Sequence, residues 1–300
     1  MMAVNTIFGN VERKTLQRKA LALVEDLPSL SDVVMEFMSV AAKDYFTAAD
    51  FEEIIQKDAA LTARLLKIAN SSFYAGTRSI KTIRESVVLI GMDNMKNMVY
   101  AVSSSGLLST SLKNYKYPEK GFWLHAMGVG MACQALAKES KTKILVPEEA
   151  FVAGLLHDVG KLILDRLITI EDGPRVITLE DELNAAGLNH ADLARHIFRK
   201  WKIPETLIES VRFHHNPFIG GRPKPSAVLI SLADSILNEW GFGTRSVPDL
   251  SIEIEAADHL QEIRALTLPR DKFTSVLWGL RQELGNIEHL YNAQSGEDPE

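Results

Sequence analysis

Apolar residues recur three and four positions apart through most of this 300-residue sequence, the spacing that lays one stripe along an α-helix. Strand-like alternation is rare. After the entry Asp26-Leu27-Pro28-Ser29-Leu30-Ser31, residues Val33, Val34, Phe37, Met38 and Ala41 share one face. Thr47 is placed to cap a helix over Ala48–Lys57. Asp58 is placed to cap Ala59–Ala69, whose apolar face is Leu61, Leu65, Leu66 and Ile68. Thr82-Ile83-Arg84-Glu85 fits a capping box, Gly91 is placed to end that helix, and a further helix is predicted over Met92–Leu108. From Leu112 to Gly121 the periodicity breaks at Tyr115, Tyr117, Pro118 and several lysines. Beyond it helices are predicted over Trp123–Lys138, from Pro147-Glu148-Glu149 with proline first and acids in the first turn, and from near His190, Pro204 and Pro225. Ile252–Tyr291 adds two more. The expectation is an all-α protein with an N-terminal segment (1–19), a helical half (20–111), a second helical half (118–240) and a helical tail (241–300).

Composition adds little to that picture, and charge adds more. A hydrophobic fraction of 46% and a charged fraction of 24% describe an ordinary globular protein. No apolar run reaches bilayer length, no secretory signal opens the sequence, and the single Cys133 cannot pair within the chain, so a cytoplasmic protein without a membrane partner is expected. The net charge of −6 falls entirely within residues 251–300, where ten acids face four bases, and the first 250 residues balance. A neutral body with an acidic tail is a poor match for nucleic acid. Val11–Asp26 is too short to be a receiver, kinase or sensor domain, so input is expected from a separate signalling partner or a small ligand.

Candidate chemistry concentrates in the second half, where six of the eight histidines fall between residues 125 and 215. The densest segment is Leu155-Leu156-His157-Asp158-Val159-Gly160-Lys161. A His-Asp pair at the end of an apolar helical face needs partners for its desolvated groups, and a divalent metal is an effective one. Lys161 lies one turn beyond His157, able to hold a phosphate oxygen as a point charge. His125 precedes this pair by one element; His190, the adjacent His214 and His215, and Asp234 follow on later ones, so a helical bundle can gather them at one level. Adjacent histidines diverge by about 100° on a helix, so both reach one site only if the helix ends there. Other residues read as structural. His196 is off the face of His190 and expected at the surface, His259 and His289 are expected solvated in the tail, Met92, Met95 and Met98 are packing residues, and Cys133 is a buried spacer. Gly154–Lys161 has one residue too many between its glycines, and Leu162 where a hydroxyl is needed, to be a phosphate-binding loop. In Lys67–Met98 few basic residues line a candidate recognition helix.

The order His, His-Asp-x-Gly-Lys, His, His-His, Asp resembles the HD superfamily of metal-dependent phosphohydrolases. Leu27–Leu30, Asp58–Ser71 and Ile80–Gly91 are similar to the HDOD branch, the HD-related output domain of bacterial signalling proteins, and the likeness spans roughly residues 20–240. The resemblance implies a multi-helix HD-like bundle with an N-terminal helical subdomain. It implies one metal held by His125, His157, Asp158 and Asp234, and, in the two-metal arrangement, Asp158 as bridge with His190 and one or both of His214 and His215 on a second ion. In that arrangement Asp158 and Lys161 are the candidate catalytic pair. Histidine-rich ligation favours iron, with manganese or zinc as the other transition metals that suit imidazole and carboxylate. The HD-GYP phosphodiesterases carry Gly-Tyr-Pro after the paired histidines, where this sequence has Asn216-Pro217-Phe218. Some also carry a glutamate, for a third metal, where Gly121 stands here. Two readings result: a signalling output module that binds metal and relays a state to a partner, or an active phosphohydrolase acting on a nucleotide or cyclic dinucleotide.

Overall fold

The computed structural model describes residues 10–287, apart from 29–30, 42, 44, 72–73, 76–78, 143, 169–175, 246 and 286. It is all-α but for one two-stranded hairpin. The helices are α1 (Asn10–Asp26), α2 (Asp32–Ala41), α3 (Ala48–Ile55), α4 (Ala59–Ala69), α5 (Ile83–Ile90), α6 (Met92–Leu108), α7 (Gly121–Glu139), α8 (Pro147–Leu156), α9 (Lys161–Leu167), α10 (Leu179–Ala186), α11 (His190–Lys200), α12 (Glu205–Arg212), α13 (Pro225–Glu239), α14 (Leu260–Ala265) and α15 (Arg270–Leu284). The antiparallel strands β1 (Phe218–Ile219) and β2 (Arg222–Pro223) pair Phe218 with Pro223 and Ile219 with Arg222.

Helix starts are written locally. Thr47 with Asp50, Thr82 with Glu85, Thr178 with Asp181 and Asn189 with Asp192 each form a reciprocal capping box, and Asp58 accepts from the Leu61 amide at 2.9 Å. Pro147 and Pro225 open α8 and α13, where a missing N–H costs nothing.

Helix α7 is buried along most of its length, and α6, α8, α13 and α15 pack around it. Helices α2 to α6 pack on one another, and the Tyr100 ring of α6 stacks on Phe151 of α8 at 4.8 Å, joining that group to the rest. Helix α1 lies instead against α9, α10 and α11 of the second half. One hydrophobic cluster runs from Ala20 to Ile287, with Trp123, Trp240, Phe37 and Phe151 fully buried. The residues read as an acidic tail supply Ile263, Phe273, Leu277, Leu280 and Leu284 to it. Cys133 is fully buried, as expected of a spacer.

His259 departs from expectation: it is buried rather than solvated, with Nε2 3.3 Å from Glu239 and its ring beside Phe273, because α14 and α15 fold back onto the body. His289 lies outside the described residues. Among the described residues no helix is long and apolar enough to cross a membrane.

Candidate metal centre

Every histidine of the candidate set sits at a helix end or on the central helix α7. His125 projects from α7. Helix α8 ends at Leu156, and the chain turns through His157–Gly160 before α9 begins. His190 is the first residue of α11, behind its cap Asn189. Helix α12 ends at Arg212, so the adjacent His214 and His215 lie in the turn beyond it, free of the helical 100° divergence. Asp234 comes from α13.

Two close backbone approaches hold these pieces together. A Cβ on Gly160 would fall 2.0 Å from the His190 carbonyl oxygen, so only glycine lets the His-Asp turn rest on the start of α11. A Cβ on Gly121 would fall 2.3 Å from the Gly243 carbonyl oxygen, and Gly243, at φ +75°, would meet the His125 amide. Gly121 is therefore a packing requirement, and no carboxylate can be carried there.

The tautomers follow from the partners, because a carbonyl oxygen can only accept. His125 Nδ1 donates to Phe242 (3.2 Å), His157 Nδ1 to Gly154 (2.7 Å) and His214 Nδ1 to Val211 (2.6 Å). His190 Nδ1 donates to Glu182, with both carboxylate oxygens at 2.9 Å. Four rings thus have Nδ1 committed, which turns Nε2 inward. His125 Nε2 lies 3.0 Å from Asp234 Oδ1. His157 Nε2 lies 3.3 Å from Asp158 Oδ2 and 3.7 Å from Asp234 Oδ1. His190 Nε2 lies 3.0 Å from Asp158 Oδ1 and 2.8 Å from His215 Nε2. His214 Nε2 is buried with no hydrogen-bond partner among the described residues. Donor atoms of His125, His157 and Asp158 lie within 4.8 Å of one another, as do those of Asp158, His190, His214 and His215. Asp158 belongs to both groups.

Electrostatics sort the groups. Burial opposes ionisation of Asp158, but His157, Lys161 and His190 outweigh it and hold the carboxyl well below the usual range. Asp234 is held low against its burial by hydrogen bonds from His125 and His157. Burial also opposes the charge on His157, yet Asp158 and Asp234 push it up to about 10, and Glu182 and Asp158 likewise raise His190. Burial and neighbouring histidines hold His214 well below its ordinary value and bring His215 down to about 4.

Lys161 is placed beside the site but not free. Its Nζ pairs with Asp158 Oδ2, lies 3.4 Å from the Tyr117 hydroxyl, and sits over the Tyr115 and Tyr117 rings at 5.4 and 5.6 Å. All eight singled-out residues are brought together, and His196 is exposed, away from them. Glu182 and Tyr115 escaped the sequence reading. Glu182 is buried, accepts the His190 amide at 2.8 Å and the Tyr115 hydroxyl at 2.7 Å, and is held below its ordinary value by His190 against its burial. Its only local signal is the capping box at Thr178 that starts α10.

A family model for the HDOD domain matches residues 27–217, well over half of the sequence. The chain belongs to the HDOD family. It is similar to an HDOD domain protein of Geobacter sulfurreducens, at 23% identity, with a TM-score of 0.66 over 94% of this chain and 97% of that one. A candidate phosphohydrolase of Shewanella amazonensis SB2B is also 23% identical, with a TM-score of 0.59 over 93% and 97%. A candidate signal transduction protein of Marinobacter aquaeolei VT8 is 19% identical, with a TM-score of 0.70 over 98% of this chain and 69% of that one. These likenesses are of fold. An uncharacterized protein of Treponema pallidum (strain Nichols) is 24% identical over 238 residues, 75% of this chain and 45% of the relative. This HDOD chain thus spans less than half the length of that relative.

Proposed function

We propose that this chain is an HDOD signalling output module whose HD-like site holds one or two transition-metal ions and relays a state to a partner protein. The observation that carries this reading is the set of four imidazoles with Nδ1 committed to acceptors and Nε2 turned toward Asp158 and Asp234, one of them, His214, with its Nε2 buried and unpartnered. A packing role would leave ring nitrogens satisfied by the protein itself. The donor set fits a transition metal: His125, His157, Asp158 and Asp234 would hold one ion, and Asp158, His190, His214 and His215 a second. Imidazole with carboxylate suits iron, then manganese or zinc, better than magnesium.

The second reading is a metal-dependent phosphohydrolase acting on a nucleotide or cyclic dinucleotide. Asp158 supports it, because its two oxygens face different histidine groups, as a bridge between paired ions would. Bound metal would supply Lewis acidity and an acidified water. The chain's own part would be to orient a phosphodiester at Lys161 and to exclude water with the Tyr115 and Tyr117 rings. The output-module reading is preferred because Lys161 is engaged with Asp158 and no Gly-Tyr-Pro segment follows His215.

The test is elemental analysis of untagged protein purified without chelator, repeated after anaerobic loading with Fe2+ and Mn2+. One or two transition-metal ions per chain are expected, lost in His157→Ala and Asp158→Ala. Wild-type protein that stays empty after loading defeats the metal reading. Loaded protein that hydrolyses a panel of phosphodiesters, and loses that rate in Lys161→Ala, selects the enzyme.

A further inference from the structure

Helix α10 carries three acids, of which Glu180 is exposed and Asp181 caps the helix, while Glu182 is only 1% exposed. Burying a carboxylate costs several kcal/mol unless it is paired and hydrogen-bonded, and an apolar side chain would serve packing better. Glu182 spends both oxygens on one neighbour, accepting the His190 amide at 2.8 Å and Nδ1 at 2.9 Å, and takes a third donor, the Tyr115 hydroxyl, at 2.7 Å. Its carboxylate thereby fixes the ring plane of His190, which faces Asp158 and His215 with the opposite nitrogen. A carboxylate on the far nitrogen of a ligating imidazole both orients the ring and strengthens it as a donor.

Glu182 is in turn held from outside the site. Helix α1 packs against α9, α10 and α11, the helices that carry Lys161, Glu182 and His190. One set of hydrogen bonds fastens it there. Lys200 Nζ, at the end of α11, donates to the carbonyls of Val24 (3.0 Å) and Glu25 in the last turn of α1 and of Leu27 (2.8 Å) just beyond it. The turn that closes α10 at Gly187, φ +72°, lies against the Arg13 side chain of α1.

We propose that Glu182 is the positioning residue for His190, and that α1, by setting α10 and α11 against each other, sets the affinity of the His190, His214 and His215 half of the centre. The proposal rests on the metal-binding reading above and names where that site is controlled. A shift of α1 reaches His190 directly through α10, Glu182 and α11, and reaches the His125 half only through α9 and the Lys161–Asp158 pair, so the His190 half responds more strongly. A signal that moves α1 therefore changes occupancy of the His190 half more than that of the His125 half.

The test is titration of the metal-free full chain with Mn2+, followed by calorimetry and by electron paramagnetic resonance. Glu182→Gln keeps the shape and one acceptor, and is expected to weaken the His190 half about 10- to 100-fold while the His125 half keeps wild-type affinity and the metal-free melting temperature stays near wild type. Tyr115→Phe, which removes one donor to Glu182, moves the same half less and serves if Glu182→Gln folds poorly. Lys200→Met, remote from the metal, is expected to weaken that half by about 3- to 10-fold; Lys57→Met, whose partner Glu36 lies in the first half, moves neither. Wild-type protein that binds no Mn2+ or Fe2+ overturns the metal reading and this proposal with it. Wild-type binding with Glu182→Gln and Tyr115→Phe titrating identically overturns the positioning role alone. Equal weakening of both halves reduces Glu182 to a stabilising contact, and a silent Lys200→Met removes α1 from the scheme.

Discussion

Three carboxylates, Asp158, Asp234 and Glu182, face one lysine and five imidazoles. Asp158, Glu182, His125, His157, His190 and His214 are buried, Asp234 is partly so, and His215 opens to solvent, so charge at the buried groups must be balanced locally. Protons settle the balance in the metal-free chain. His157 and His190, next to the carboxylates, are pushed toward the charged form, and His214 and His215 are kept neutral. Under the proposed metal-binding reading, cations at the centre would take over the role of those protons, so binding would displace them. The sign of the pH dependence follows. His157 is raised from 6.5 to about 10 on folding, so its contribution to metal-free stability is complete below 6.5 and is lost as pH rises through 10. Asp158 and Asp234 are lowered on folding; their contribution is present above the ordinary carboxylate range and fades only in acid. The melting temperature of metal-free protein is therefore expected to fall between pH 6.5 and 10, while Mn2+ affinity rises over that window. Calorimetry in buffers of different ionisation enthalpy should show proton release on binding. Proton uptake, or affinity flat across the window, contradicts the charge balance. Gly160→Ala tests the geometry of the same turn. Its Cβ has no room beside the His190 carbonyl, and the variant is expected to lose about 3 kcal/mol of stability and most of its bound metal, read by denaturant melts and elemental analysis.

At the scale of elements, legibility followed how local the cause was. The helices that start on Thr47, Asp58, Thr82, Pro147 and Pro225 were readable because the cap lies within four residues of the turn it satisfies. The site histidines and Asp234 were readable through their order along the sequence. Helix α1 was not: among its described side chains only Ala20 and Val24 are buried in the core, so it carries a weak apolar stripe and gains its place from the helices it covers. Helix α10 was not predicted: its three successive acids look alike in the sequence, and Glu182 is distinguished from Glu180 only by what meets it in space. The hairpin β1–β2 is two residues deep and leaves no alternation to detect. Asn189 links the legible and illegible parts, since its side chain accepts from the Asp192 amide at 2.8 Å and so fixes the start of α11 under His190. Asn189→Ala is expected to cost about 1 kcal/mol and to weaken metal at the His190 half more than at the His125 half. A loss shared evenly between the halves would assign Asn189 to stability alone.

Across the whole molecule, the break in periodicity at Leu112–Gly121 separates two runs of helices without separating two cores. Tyr100 on Phe151 is one bridge between them, and the pair Lys96–Glu148 is another: Nζ and Oε1 are 2.6 Å apart, with side chains 8% and 14% exposed. Lys96 also donates to the Ala41 carbonyl at 3.1 Å and lies over the Phe46 ring at 5.2 Å, so α2, α6 and α8 meet on one ammonium. Such a pair adds little over an apolar replacement of both partners, but removing one strands the other's charge in the interior. Lys96→Met is accordingly expected to cost about 3 kcal/mol, or roughly 6 °C in melting temperature, and Lys96→Met with Glu148→Gln to recover part of it. Of the four tryptophans, Trp123, Trp201 and Trp240 lie in the second half and Trp278 on α15 of the tail, and none in residues 20–111. Their fluorescence therefore follows the second half and the tail, while far-ultraviolet circular dichroism follows the first half as well. If the shared core makes the halves one cooperative unit, the two signals fall together in Lys96→Met as in wild type. A dichroism loss that precedes the tryptophan transition would mean that the first half melts alone, and that a partner docking there could act on the metal centre only through contacts such as this ion pair.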